Sequence, residues 1–171
     1  MIIFSVLYGI TSYSFAHYGE MLTYLGMTAP MATFALVSWL KNPFNGHRSE
    51  VKVNRLKTAE IVWMLLLTAV GTVIFGLILN HFNTANIFPS TASVTTSFLS
   101  VYLTFRRSAY FVLMYAVNDI VLIVLWVMAS ASDVSYLSVV ICFAVFLLND
   151  IYGFLSWSKM RKRQEKHSDR A

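Results

Sequence analysis

All 13 lysine and arginine residues of this 171-residue chain fall into three segments, and long apolar stretches lie between them. Membrane-spanning helices need about 20 mainly apolar residues, and six stretches are candidates. They run over residues 2–16, 21–40, 61–79, 90–105, 110–130 and 134–157, the first and fourth being the shortest. Only 12% of the residues are charged, whereas a soluble domain carries about 25%. We therefore expect an all-α membrane protein with six transmembrane helices, and exclude a soluble enzyme or a disordered chain.

The basic residues also predict how the chain crosses the membrane. They occupy the connection 41–60, the pair Arg106-Arg107 and the tail 158–171, which are alternate connections. Because basic loops are retained on the cytoplasmic side, we expect these segments, and therefore the C-terminus, in the cytoplasm of a multi-pass cell-membrane protein. The tail has the charge to contact membrane lipid or nucleic acid. We favour a topology signal with a solvated end over either contact, and expect no nucleic-acid partner.

An internal repeat appears when the chain is shifted by 118 residues. Ser38-Trp39 then falls on Ser156-Trp157, Tyr8 on Trp126, and Phe34 on Tyr152. The shift places the first two spans (residues 1–40) on the last two, which cross in the same direction, as in a parallel repeat. The second repeat (residues 90–157) has three spans, and the linker helix 61–79 has no counterpart. We therefore expect a 3+1+3 architecture that lacks its first helix, as in a fragment, a late start codon or a family member that has lost it.

Several stretches of the sequence are similar to those of a known family. They are Asn149–Trp157 (NDIYGFLSW), Val117-Asn118-Asp119 followed by Trp126, the Thr95-Thr96 region, and, in the first half, Ser5–Gly9 and Pro30–Trp39. Together with the repeat, they resemble the PnuC family of vitamin transporters over nearly the whole chain. The resemblance implies import of nicotinamide riboside by facilitated diffusion, with trapping by phosphorylation that feeds NAD biosynthesis. Thiamine or deoxynucleoside carriers of the same fold are the alternative within the family.

Polar and aromatic residues inside the spans are the candidate substrate-binding residues. They are Asn118, Asp119, Trp126, Asn149, Asp150, Tyr152, Trp157, Thr96 and Trp39. Ionisable groups at bilayer depth are costly and are functional candidates by default, and aromatic faces attract the positively charged nicotinamide ring. In the last span, Asn149 and Tyr152 belong to a polar stripe that we expect to face the solute. The tryptophans could instead form the interfacial aromatic belt.

The first repeat has fewer polar residues than the second. Ala32 and Ala35 occupy the places that Asp150 and Gly153 hold in the second repeat, so we expect an asymmetric pocket with most contacts from the second half. Access would alternate as one half rocks against the other.

Other function classes have less support. The four histidines never form a close pair, and Cys142 is the only cysteine, so we expect no metal site and no cofactor. No phosphate-binding loop or nucleophile elbow is present, which makes an enzyme improbable. A non-transporting membrane scaffold subunit remains an alternative, and a homo-oligomer is possible.

Overall fold

The structure is a computed structural model that describes residues 1–15, 17–84 and 86–168. In these ranges the chain forms six helices and one short hairpin. The helices are α1 (Ile2–Ser14), α2 (Tyr18–Leu40), α3 (Thr58–His81), α4 (Ile87–Phe105), α5 (Phe111–Ser130) and α6 (Leu137–Ser168), and the strands are β1 (Pro43–Phe44) and β2 (His47–Val51). The helices follow the order of the six predicted spans, so the all-α membrane fold is confirmed. Ala16, the expected end of the first span, lies outside the described residues.

The helices differ in how well they match a membrane. Among the described residues, four helical stretches are long and apolar enough to span one: α2, α3, α5 and Val134–His167, which joins the short 3-10 turn Val134–Tyr136 to α6 as far as His167. Helix α1 is apolar but has 13 residues, and α4 has 19 residues with many Ser and Thr. The two spans that were shortest in the sequence are therefore also the two that fall short of this criterion.

Helix α4 lies in the centre of the bundle and packs against α2, α3 and α5. Its buried face carries small hydroxyl residues one turn apart: Ser93, Ser97, Ser100 and Thr104. Such residues let transmembrane helices approach closely and hydrogen-bond. Helix α3 lies at the periphery, where Trp63, Val73 and Leu77 are exposed, as expected of an apolar helix that faces lipid.

A wider helical turn interrupts α2 over Thr23–Thr28, directly before Pro30. Proline has no N–H to donate, and its ring clashes with the carbonyl oxygen four residues earlier in a regular helix. The wider turn relieves this clash, and Thr28 Oγ1 donates to the Thr23 carbonyl oxygen at 3.2 Å. Tyr24 and Thr28 are both buried within the turn. Such turns occur often at functional sites.

The end of the bundle that carries the 41–60 connection, the α4–α5 loop and the last turns of α6 is called the basic end. Here the β1–β2 hairpin, whose Asn45-Gly46 turn has positive φ at both residues, is fastened to α6. Gln164 is buried; it accepts from Val53 N at 2.9 Å and donates to Glu50 Oε1 at 2.7 Å. The expected tail 158–171 is thus a docked continuation of the last helix up to Ser168, and residues 169–171 lie outside the described part.

The two aromatic pairs that the repeat matches are in contact. Trp126 Nε1 donates to the Tyr8 hydroxyl at 2.7 Å, and the rings of Trp39 and Trp157 lie 5.2 Å apart. In the parallel repeat that the sequence predicts, matched residues that touch each other would lie beside the axis relating the two halves. The Trp39–Trp157 pair is at the basic end, and the Tyr8–Trp126 pair is toward the opposite end, called the non-basic end.

Candidate functional site

A cavity of about 280 Å³ lies between α1, α2, α4, α5 and α6. It is called the central cavity and is lined by Met1, Phe4, Tyr24, Thr28, Ser97, Phe111, Tyr115, Asn118, Asp119, Phe146, Asn149 and Asp150. Its volume is at the lower end of the range for small-molecule sites, and its mixture of aromatic walls and a few polar groups is typical of them. Four of the nine residues predicted for the site line this cavity: Asn118, Asp119, Asn149 and Asp150.

Asn118 is the centre of a hydrogen-bond network in the wall of the cavity. Its Oδ1 accepts from Thr96 Oγ1 at 2.7 Å and from Ser97 Oγ at 3.0 Å. Its Nδ2 donates to the Tyr24 hydroxyl at 3.0 Å. Thr96, the fifth predicted residue, thus acts on the cavity through Asn118. The network joins α2, α4 and α5 and fixes the orientation of the Asn118 amide.

Two carboxyl groups, those of Asp119 and Asp150, line the central cavity, and no Lys or Arg side chain is among its lining residues. Asp119 is 6% exposed, and its Oδ2 has no hydrogen-bond partner. A buried acceptor without a donor costs about 1–3 kcal/mol, more for a charged group. The cavity therefore offers an acceptor to a solute that brings hydroxyl or positively charged groups.

The three predicted tryptophans lie at the ends of the cavity rather than in its wall. Trp126 is fully buried beneath Tyr8, toward the non-basic end. Trp39 and Trp157 both contact Phe111, which lines the cavity, with ring centroids 5.8 and 4.8 Å away. Trp39 Nε1 also donates to the Thr104 carbonyl oxygen at 2.7 Å. Aromatic contacts therefore bound the cavity toward both ends.

Tyr152 does not contribute to the cavity wall. Its side chain is 71% exposed, although the polar stripe of the last span suggested that it faces the solute. Helix α6 is rotated so that Phe143, which is 1% exposed, packs into the bundle. The physical reason for this rotation is that the ring of Phe143 packs edge-on against Phe4 and Tyr8. The polar stripe that includes Tyr152 offers no comparable aromatic packing.

The polar residues of the bundle that were not among the predicted site residues include Glu20, Tyr24 and Tyr115. Tyr24 and Tyr115 line the central cavity, and Glu20 is buried one turn before Tyr24 in α2. The sequence contains a signal for two of them, because Glu20, Tyr24 and Thr28 recur every four residues. The predicted second span begins at residue 21 and therefore leaves Glu20 in a connection, outside the helix on which this spacing would be visible.

A second cavity of about 480 Å³ adjoins the first and is mostly apolar. It shares Met1 and Tyr115 with the central cavity and is lined by Ala32 and Ala35, the residues that replace Asp150 and Gly153 in the repeat. The first half therefore presents an apolar wall where the second half presents carboxylate and amide groups. The described residues contain no cluster of three His, Cys, Asp or Glu side chains that could hold a metal ion.

Comparisons with known proteins agree with this architecture. The family model described as "Nicotinamide mononucleotide transporter" matches residues 1–159. The nicotinamide riboside transporter PnuC of Neisseria mucosa is 27% identical over 161 residues, which cover 92% of this chain and 61% of that protein. The chain thus spans about three fifths of the length of this curated relative.

A solved structure is also similar to this chain. The crystal structure of the vitamin B3 transporter PnuC superposes with a TM-score of 0.78 at 26% identity, covering 95% of this chain and 71% of that one. The family model and both relatives are described as transporters, not as enzymes, and the resemblance to the PnuC family is confirmed. The chain is therefore a multi-pass membrane protein that belongs to the nicotinamide mononucleotide transporter family.

Proposed function

We propose that this protein carries nicotinamide riboside across the cell membrane. The observation that carries the proposal is the central cavity, in which Asn118, Asp119, Asn149 and Asp150 meet between helices of both halves. The names of the N. mucosa relative and of the solved structure support the choice of solute. Import by facilitated diffusion would supply NAD biosynthesis after phosphorylation in the cytoplasm.

The lining residues suit the parts of this solute. The nicotinamide ring carries a fixed positive charge, which the faces of Tyr24 and Tyr115 attract through the ring quadrupole. The amide of Asn149 can pair with the carboxamide, and the unpartnered Oδ2 of Asp119 can accept from a ribose hydroxyl. The aromatic pocket role that Tyr152 and Trp157 had in the sequence-based hypothesis thus passes to tyrosines of α2 and α5.

Transport requires the cavity to open to each side in turn. The Tyr8–Trp126 contact is toward the non-basic end, and the Trp39–Trp157 contact is at the basic end. Because each contact joins one half to the other, rocking of the halves would separate one pair while the other stays closed. The distribution of Lys and Arg supports a basic end, with the C-terminus, on the cytoplasmic side. The docked tail is then positioned beside anionic lipid headgroups.

Uptake into liposomes tests this function. We expect saturable uptake of labelled nicotinamide riboside that excess thiamine does not block, and a reduction of at least tenfold in the Asn149→Ala variant. The matched control is Asn80→Ala, an exposed asparagine at the end of α3, which is expected to keep full uptake. Competition by thiamine would favour a thiamine carrier of the same fold. The absence of any uptake would contradict the transporter and favour a scaffold subunit.

A further inference from the structure

Glu20 is a buried carboxyl group that the proposed mechanism does not use. It lies in the first turn of α2, at the non-basic end, and its side chain is 1% exposed. Gly19 permits this position, because a Cβ there would come within 2.5 Å of Leu79 and 2.8 Å of Thr84. The start of α2 therefore packs directly on the end of α3, which holds the next residue, Glu20, inside the bundle.

The carboxyl group of Glu20 is only half satisfied. Ser93 Oγ donates to its Oε2 at 3.1 Å, and its Oε1 has no hydrogen-bond partner. All Lys and Arg residues of the sequence belong to the segments at the basic end, so none is available as a counter-ion here. His17 does not fill this role either, since its Nδ1 contacts the Phe15 carbonyl oxygen and its Nε2 has no partner.

Retention of such a group inside a membrane bundle points to a function. An uncompensated buried carboxylate costs several kcal/mol, and intramembrane acidic residues usually mark solute or ion pathways. A Gln or Ser at this position would form the Ser93 hydrogen bond without that cost. The feature that distinguishes Glu20 from such a residue is that its carboxyl group can ionise and attract a cation.

Glu20 lies one helical turn from the central cavity on two helices at once. On α2, Tyr24 follows it by four residues and lines the cavity. On α4, its partner Ser93 is one turn from Ser97, which lines the cavity and donates to Asn118. One helical turn is about 5.4 Å. The carboxyl group is therefore on the non-basic side of the cavity, within the length of a nucleoside from the Asn118 network.

From this position we infer that Glu20 forms a binding site for the positively charged ring of the solute, between the non-basic end and the central cavity. It thereby selects cationic over neutral nucleosides. In the described conformation the Tyr8–Trp126 contact bounds this region, and opening that contact would expose the carboxylate to an entering cation. The inference rests on the proposed function, and it assigns charge selection to Glu20 rather than to Asp119 or Asp150.

Two solutes of nearly equal shape test the inference. Nicotinamide riboside has a positively charged pyridinium ring, and its reduced dihydropyridine form is neutral. We expect the Glu20→Gln variant in liposomes to lose at least tenfold in kcat/KM for the cationic solute and less than twofold for the neutral one. The matched control is Asp133→Asn, which removes a carboxylate from the exposed α5–α6 connection at the same end and is expected to change neither value.

The outcomes separate this inference from the proposed function. If the unmodified protein carries neither solute, the proposed function fails. If it carries nicotinamide riboside and Glu20→Gln changes both solutes equally, or neither, the role of Glu20 in charge selection is refuted. Should Glu20→Gln not fold, Glu20→Asp retains the charge on a shorter side chain. A severalfold rise in KM for the cationic solute alone is then expected, and an equal rise for both refutes the inference.

Discussion

Replacement of Asn118 by alanine should destabilise the bundle and not only weaken solute binding. The side chain joins three helices through its bonds to Thr96, Ser97 and Tyr24, at 2.7, 3.0 and 3.0 Å. Hydrogen bonds between transmembrane helices contribute about 0.6 kcal/mol each on average and about 1.7 kcal/mol at most. The three bonds together are therefore expected to contribute about 2 kcal/mol to the free energy of unfolding.

The assay is thermal unfolding of the purified protein in detergent. A change of 1 kcal/mol shifts Tm by about 2–4 °C in a soluble chain of 150–250 residues, which gives an expected decrease of about 4–8 °C for Asn118→Ala. The isosteric Asn118→Asp variant keeps both acceptor bonds from Thr96 and Ser97 and should lose less. Asn80→Ala is the control, because this side chain is exposed.

If Asn118→Ala and Asn80→Ala melt within about 1 °C of each other, the network contributes nothing measurable to stability, and the argument that it fixes the cavity wall is refuted. If Asn118→Ala melts lower but binds nicotinamide riboside with unchanged affinity, the amide is structural only.

Three further variants test other parts of the structure. Tyr152→Ala should leave uptake within about twofold of the unmodified protein, because the side chain is 71% exposed; a tenfold loss would place it back in the solute path. Tyr8→Phe leaves the buried Trp126 N–H without an acceptor and should destabilise the protein by about 1–3 kcal/mol. Thermal unfolding measures this loss, and Trp126→Phe provides the second single variant of a double-mutant cycle. Gln164→Ala should increase proteolysis of the 41–60 connection far more than Arg55→Gln does. Gln164 is buried and makes three hydrogen bonds, whereas the Arg55 ion pair is exposed. Exposed ion pairs contribute about 0–1 kcal/mol to stability.

The position of Gln164 also has a consequence for movement of the two halves. The hairpin follows directly after α2 in the first half, and Gln164 belongs to the last helix of the second half. Arg163 adds an ion pair to Glu50 at 2.5 Å, on the side of the hairpin. The fastening therefore joins the halves at the basic end, on the same side as the Trp39–Trp157 contact. In the proposed transport mechanism, opening of the cavity toward that end would have to strain or release these bonds.

The 118-residue repeat stays a prediction about the architecture, and it did not by itself predict which residues touch. It matched Tyr8 with Trp126 and Trp39 with Trp157, and both pairs are in contact in the structure. The sequence also identified Asn118, Asp119, Asn149 and Asp150, because polar side chains at bilayer depth are rare and costly. These four residues line one cavity.

The rotation of each helix about its own axis could not be predicted from the sequence. In a soluble protein, the apolar face of a helix points to the core, but in a bilayer both the lipid-facing and the packed faces are apolar. The polar stripe of α6 therefore suggested Tyr152 as an inward residue, whereas the aromatic packing of Phe143 turned it outward.

The apolar length of the spans and the placement of the basic residues are local properties of the chain. They determine by themselves that it forms membrane-spanning helices, and they predict which connections are cytoplasmic, because the bilayer acts on each segment separately. The tertiary structure decided which polar groups meet. Gly19 lets α2 approach the end of α3, beside which Glu20 is buried. The bond from Ser93 of a third helix to Glu20 places this carboxyl group one turn from Ser97, which donates to Asn118. Such contacts depend on how several helices pack together, which the pattern within any single helix does not specify.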